Sequence, residues 1–381
     1  MNAYLDNNAT TRLAPEALEA MLPYLGDFYG NAGSAHALGR RSEAAVQLAR
    51  EKVAALLGCA PAELVFNSGG TEGLNHVFHG AFESFPAKRH VVVSAVEHPA
   101  VRALCEWLGR HGGEVTELPV DGDGQLDLGA LDAALRPDTA LVSIMAANNE
   151  SGVRFPLDRI AEIVKGKGVL FHVDATQAVG KVAIDLRDLP VDLLNLSAHK
   201  FHGPKGVGAL FLRRGLRLKA FQLGGGQERG RRGGTENVPG IVGLGAAAEL
   251  ARDRLPEMAR VAAQRDRLEA QLAAVDGFRV LGQASPRLPN TSLQSYRGLE
   301  GEALLLRLDQ AGHCVSTGSA CATGQKETSH VLRAMAVPEE FARGTIRVSL
   351  SRYTTDEEIE ALVACLPGMV EELRRAGVFK S

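Results

Sequence analysis

From about residue 62 to 213, short apolar runs alternate with stretches whose apolar positions recur at helical spacing. ELVFNSG leads into TEGLNHVFHGAF, HVVVSA into PAVRALCEWLGRHG, and ALVSIMA into PLDRIAEIVKGKG. VLFHVDA, DLLNLSAHK and GALFLRR then follow with short connections. Such runs, spaced by amphipathic helices, predict βαβ units and a mostly parallel sheet buried on both faces. LGGGQERGRRGGTEN (223–237) is too polar for a core and predicts a ligand-contacting or mobile loop. A helical stretch runs from Val238 to about Val275, broken near Pro256. Beyond it come NTSLQSYRG, a helix near EALLLRLDQAG, a helix before Pro338, the strand GTIRVSL and a final helix. The expected division is a large α/β domain over 14–255 and a smaller α+β domain built from 1–13 and 256–381.

In parallel sheets, ligands collect at the carboxyl ends of the strands. Asn149 follows VSIMA, Asp174 closes LFHV, and Ser197, His199 and Lys200 follow LLNL. These polar residues therefore read as one site. NSGGTEG brings a strand end, Gly69, Gly70 and then Thr71 at a helix start, where free N–H groups and the helix dipole favour an anion. Taken alone the segment reads more readily as an N-cap turn with Glu72 in its first turn. Asp174 alone could cap the next helix; facing a pyridinium it would keep that nitrogen protonated and make the ring an electron sink. A reacting lysine must first lose a proton held near pKa ~10.4 in water, which burial and neighbouring positive charge make easier. Lys200 has such surroundings, whereas Lys205 lies among Gly and Pro and reads as solvated. Strand-end Asp, strand-end Lys and a Gly-Gly-Thr helix start point together to pyridoxal 5'-phosphate.

Composition narrows the alternatives. The 381 residues allow two domains, and 45% hydrophobic with 23% charged is an ordinary globular balance. A net charge of −3 gives no basic field for nucleic acid or an anionic membrane. The chain lacks an uncharged apolar run of about 18 residues, and MNAYLDNNATT has neither signal nor transit character, so a cytoplasmic protein is expected. The five cysteines lack CxxC spacing, which argues against a disulfide framework and against any metal site. Cys59, Cys105 and Cys365 read as buried and inert, and Cys314 as core. Cys321, in the small polar stretch STGSACATGQKET, reads as exposed.

The chain resembles the cysteine desulfurases of the NifS/IscS type, within the class V aminotransferase family of fold type I. The resemblance rests on YLDNNATT (4–11), GRRSEAA (39–45), NSGGTEGLN (67–75), EHPAV (97–101), ANNESGV (147–153), HVDATQAVGK (172–181), SAHKFHGPKGVG (197–208), RRGGTENVPGIVG (231–243), STGSAC (316–321) and IRVSLSRYTTDEE (346–358). It implies a pyridoxal-phosphate fold with a mostly parallel seven-stranded sheet and a smaller α+β domain. By the same resemblance Lys200 would hold the cofactor covalently and move protons on the substrate. Asp174 would face the ring nitrogen, Gln177 the phenolic oxygen, and His98 would stack on the ring. Gly70, Thr71, Ser197 and His199 would hold the phosphate, joined by Thr235 from a second subunit, so a homodimer is implied. Asn149 would lie by ring and substrate, and Arg347, ahead of Arg352, would fork the carboxylate of L-cysteine. Cys321 would take the sulfur as a persulfide, leaving L-alanine, and pass it to an acceptor such as an iron–sulfur scaffold or a sulfur carrier. A selenocysteine lyase, or another class V aminotransferase, is the alternative reading. Two departures stand out: Ala32 follows Asn31 where many relatives carry proline, and Lys326 and Thr328 stand where many carry Leu and Pro.

Overall fold

A computed structural model describes residues 3–317 and 328–376. The chain starts with a short strand, β1 (Ala3–Tyr4), and then builds a sheet of seven. These are β2 (Leu64–Asn67), β3 (His90–Ser94), β4 (Glu114–Leu118), β5 (Thr139–Met145), β6 (Leu170–Asp174), β7 (Leu193–Ser197) and β8 (Gly208–Leu212). Their spatial order is β2-β8-β7-β6-β5-β3-β4. Strand β8 runs against both its neighbours, and the remaining pairs are parallel, as the apolar runs predict. Alternation along each strand divides the core in two. After α1 (Pro15–Leu25) and α2 (Ala37–Leu57) come α3 (Gly70–Ser84) and α4 (Pro99–Arg110), which meet Val91 and Val93 of β3, Leu193 of β7 and Leu210 of β8. Val92, Leu194, Leu196 and Phe211 face the other way, a face covered by helices 37–57, 157–166 and 238–253. Each such side chain contributes about 1.5–3 kcal/mol on burial, so the pattern fixes the register.

The glycine- and arginine-rich segment is tied down by a buried ion pair. Arg50 donates to both carboxylate oxygens of Glu228, at 2.9 and 2.6 Å, and Phe66 N donates to the same group at 3.0 Å. Both side chains are 4% exposed. Removing either partner would strand a buried charge, which typically costs about 3–5 kcal/mol. Ala32, where many relatives carry proline, is buried against the larger core.

A turn at Leu255–Glu257 ends the helix 238–253 and starts the helix 258–272, where Pro256 predicts the break. The strands that follow are β9 (Phe278–Val280), β10 (Thr291–Tyr296), β11 (His313–Cys314), β12 (Ser316–Thr317) and β13 (Thr345–Ser349). They form an antiparallel sheet in the order β12-β13-β10-β9, while β11 pairs with β1. Helices 258–272, 301–310 and 356–375 enclose a separate core with Leu5, Tyr296 and Ile346. Asn7 and Asn8 reach this unit through Ser349, whose carbonyl and hydroxyl accept their N–H groups at 3.1 and 3.0 Å. The first residues thereby cross from the small unit to the strand ends of the large sheet.

Candidate active site

The carboxyl ends of β2, β3, β5, β6 and β7 converge on a cavity of about 570 Å³. Gly70, Thr71, His98, Asn149, Asp174, Gln177, Ser197, His199, Lys200 and Arg347 all line it. At one end α3 begins. Its N-cap is Gly69, at φ +139°, which offers no side-chain acceptor to the first turn. Gly70 N donates to Ser197 Oγ at 2.7 Å, and a Cβ on Gly70 would come within 2.8 Å of Thr176 Oγ1. Glu72, also in the lining, is engaged by Ser68 N at 2.8 Å and Arg232 Nε at 2.9 Å. What remains is a tight backbone cradle beside the Thr71 and Ser197 hydroxyls, suited to an anion.

Asp174 Oδ1 takes two donors, Thr176 N and Asn195 Nδ2, both at 3.0 Å. That leaves Oδ2 for a cationic ring N–H. Lys200 Nζ donates to the carbonyls of Asn8 at 2.6 Å and Ala9 at 2.8 Å. Burial, and then the Arg347 charge, pull its pKa down to about 8. His98 accepts from Ala100 N through Nδ1 at 3.1 Å, and burial lowers its pKa. His199 lies 3.1 Å from Thr10 Oγ1, with a pKa lowered to about 4 by burial and the Lys200 charge. Both imidazoles are thus neutral at pH 7. Arg347 is held by Asp6 Oδ1 at 2.7 Å and by the Asn149 carbonyl at 2.9 Å, with its Nε buried and unpaired. Gln177 donates to the Asn8 carbonyl at 2.9 Å and accepts from Lys181 at 2.7 Å, so one of its two amide hydrogens is already engaged.

The comparisons with known proteins agree along the whole chain. Residues 3–362 match the family model for aminotransferase class-V. The chain belongs to the aminotransferase class-V family. Within that family it is 54% identical over 379 residues to a cysteine desulfurase of Cereibacter sphaeroides, covering 99% of this chain and 97% of that one. Against cysteine desulfurase 2 of Trichormus variabilis the identity is 51%, over 99% and 95% of the two chains. A solved NifS-like protein superposes with a TM-score of 0.93 at 40% identity, covering 98% of this chain and all of the other. The structure titled SspA in complex with cysteine gives 0.83 at 34% identity, over 93% and 100%. The family and the fold type expected from the sequence are both borne out.

Thr235 is exposed on the 223–237 segment and does not reach this chain's own cavity. Cys321 lies outside the described residues. Arg352 is not in the lining, and Lys205 is exposed at its edge. Cys105 is buried as expected, while Cys59, Cys314 and Cys365 are only partly buried. Burial still pushes the Cys59 and Cys105 thiols up to about 12, which leaves them inert at neutral pH. No cluster of metal-ligating side chains occurs among the described residues. None of their helices is long and apolar enough to cross a membrane.

Sequence reasoning gave no role to Asn8, Ala9 and Thr10, whose carbonyls and hydroxyl meet Lys200 and His199. It also passed over two acids, the buried Glu97 and the half-buried Glu150. Burial raises Glu97 to about 8 and Glu150 to about 7. Ser329 donates to Glu150 at 2.6 Å, and His330 lies 2.8 Å from the Glu97 carbonyl.

The lowered pKa of Lys200 has a direct consequence. Its amine loses its proton as pH rises through about 8, so it is a free nucleophile above that value and protonated below it. Labelling of Lys200 by a small carbonyl reagent, followed by mass spectrometry, is expected to be half-maximal near pH 8. An ordinary lysine would need pH ~10.4.

Proposed function

We propose that this chain is a pyridoxal 5'-phosphate-dependent cysteine desulfurase that removes sulfur from L-cysteine, leaving L-alanine and a persulfide on Cys321. What carries the reading is a half-buried lysine of lowered pKa set between an anion cradle, a strand-end carboxylate and a fixed arginine. Relatives called cysteine desulfurase, about half identical along nearly all of the chain, support it. The donor set fits the cofactor. The α3 cradle with Ser197, Thr71 and His199 would take its phosphate, Asp174 Oδ2 its ring N–H, and Gln177 its phenolic oxygen through the second amide hydrogen. His98 would cover the ring, Asn149 would border ring and substrate, and Lys200 would attach it.

Bound there, the cofactor supplies a sink for the electron pair left when the substrate α-proton departs. Lys200 Nζ takes that proton and returns it. Arg347 binds the substrate α-carboxylate, a planar bidentate task that suits a guanidinium. The Cys321 thiolate attacks the substrate sulfur. An S–S bond forms as the Cβ–S bond breaks, so L-cysteine and a thiol give L-alanine and a persulfide. Both ends of the segment that carries Cys321 are rooted at the cavity. Ser316 pairs with Arg347 in the sheet, and Ser329 and His330 are anchored on Glu150 and Glu97.

Thr235 would complete the phosphate site of a second copy of the chain. Exposed Phe221 and Leu223 in the same segment, Leu18, Leu22 and Leu25 along the helix 15–25, and Tyr29 just beyond it supply apolar surface for such a homodimer. The persulfide would pass to an iron–sulfur scaffold or a sulfur carrier in the cytoplasm. The deciding assay is wild-type protein with L-cysteine and a reductant. Sulfide and alanine in equal amounts are expected; a cofactor-loaded protein that releases neither would sink the reading.

A further inference from the structure

A row of polar side chains crosses the sheet beneath α3, where apolar residues would pack as well. Ser143 on β5, His172 on β6 and Asn195 on β7 have no exposed surface. Ser143 pairs with His172 in register, and Asn195 pairs with Asp174, two residues beyond His172 on the same face. Ser143 Oγ lies 2.8 Å from His172 Nδ1, and His172 Nε2 lies 2.6 Å from Asn195 Oδ1. Asn195 Nδ2 then donates to Asp174 Oδ1 at 3.0 Å and to Thr176 Oγ1 at 3.2 Å.

The direction of this chain is fixed by its members. An amide oxygen only accepts, so His172 Nε2 carries the hydrogen and its Nδ1 accepts from Ser143. The same bond stops the Asn195 amide from turning over, which would press its oxygen against the Asp174 carboxylate. Burial keeps His172 neutral by lowering its pKa. Asn195 also packs under α3, its Cβ standing 2.9 Å from where a Cβ on Gly73 would lie.

We propose that His172 is a positioning residue which, through Asn195, aims Asp174 at the cofactor's ring nitrogen and so secures the proton on that nitrogen. The inference rests on the functional reading above. His172 touches neither cofactor nor substrate. Its effect is exerted through which atom of Asn195 faces Asp174.

The test compares wild type with His172→Phe, His172→Gln and Ser143→Ala. Two quantities are read: the dissociation constant for pyridoxal 5'-phosphate, and the ¹⁵N shift of the ring nitrogen in holoprotein loaded with ¹⁵N-labelled cofactor. His172→Phe is expected to weaken cofactor binding about tenfold, as loss of a hydrogen bond supporting a charged group does, and to move the ¹⁵N signal toward the unprotonated position. His172→Gln, which keeps a donor, should recover most of both. Ser143→Ala, which removes only the far end, should weaken binding about twofold to threefold in the same direction. If His172→Phe does not fold, the two milder variants decide the matter. Unchanged affinity and ¹⁵N shift in the folded variants, even with a lower melting temperature, would overturn the inference alone. A wild type that binds no pyridoxal 5'-phosphate would overturn the functional reading and this inference with it.

Discussion

Cys321→Ala is expected to cut sulfide release from L-cysteine by at least about 10³-fold while leaving cofactor absorbance and affinity unchanged. The separation follows from geometry. The groups that this chain is proposed to supply to its own cofactor site come from strand ends, the turns after them and the start of α3, and none of them is a residue of 318–327. Without the thiol no group is left to accept the substrate sulfur, so the Cβ–S bond has no partner for cleavage. Selenocysteine offers a useful contrast, because a selenium leaving group departs more readily and needs no acceptor thiol. The variant should therefore lose the cysteine reaction and retain selenium release. Equal rates from wild type and variant on L-cysteine would remove Cys321 from the chemistry and favour the selenocysteine lyase reading.

Much of this arrangement was legible from apolar runs alone, because a strand buried on both faces leaves an unbroken signal. Six strands of the large sheet announce themselves that way, from LVFN through GALFL. The seventh, β4, does not. It lies at the sheet edge with Glu114, Thr116 and Glu117 partly or wholly exposed, so EVTEL carries no apolar run. Strand-end logic likewise brings Asp174 and Lys200 to one cavity, because consecutive parallel strands end on the same side. Asn8 and Ala9 could not be read in this manner. Their carbonyls meet Lys200 across 192 and 191 residues of chain, a closure that only the folded N-terminal segment creates. His172 was hidden for the opposite reason: in FHVD it looks like one polar position in a buried strand, and its partners come from two neighbouring strands. Thr235 shows a further limit, since one chain leaves it exposed and outside the cavity lining.

Lys200→Ala and Lys200→Arg should both lower the rate of alanine formation by at least about 10³-fold, the range that loss of a positioned acid–base group brings. The pair separates charge from proton transfer. Arginine preserves the positive charge and could still donate to the Asn8 and Ala9 carbonyls, but its guanidinium never sheds a proton near neutral pH. A lysine needed only to balance Asp6 and Asp174 would therefore be replaced by arginine with little loss. A lysine that must deprotonate, which a pKa lowered to about 8 makes easier, would not. Borohydride treatment gives an independent check, because it fixes the cofactor irreversibly to an attached amine. Wild type should keep the label through denaturation, and both variants should release it. Lys205, exposed at the cavity edge, serves as the control: Lys205→Ala should retain the label and most of the activity. Labelled Lys200 variants would move the attachment point to another lysine. The buried Lys181 would be a candidate beside Lys205, since it hydrogen-bonds Gln177 and Asn8, which line the cavity.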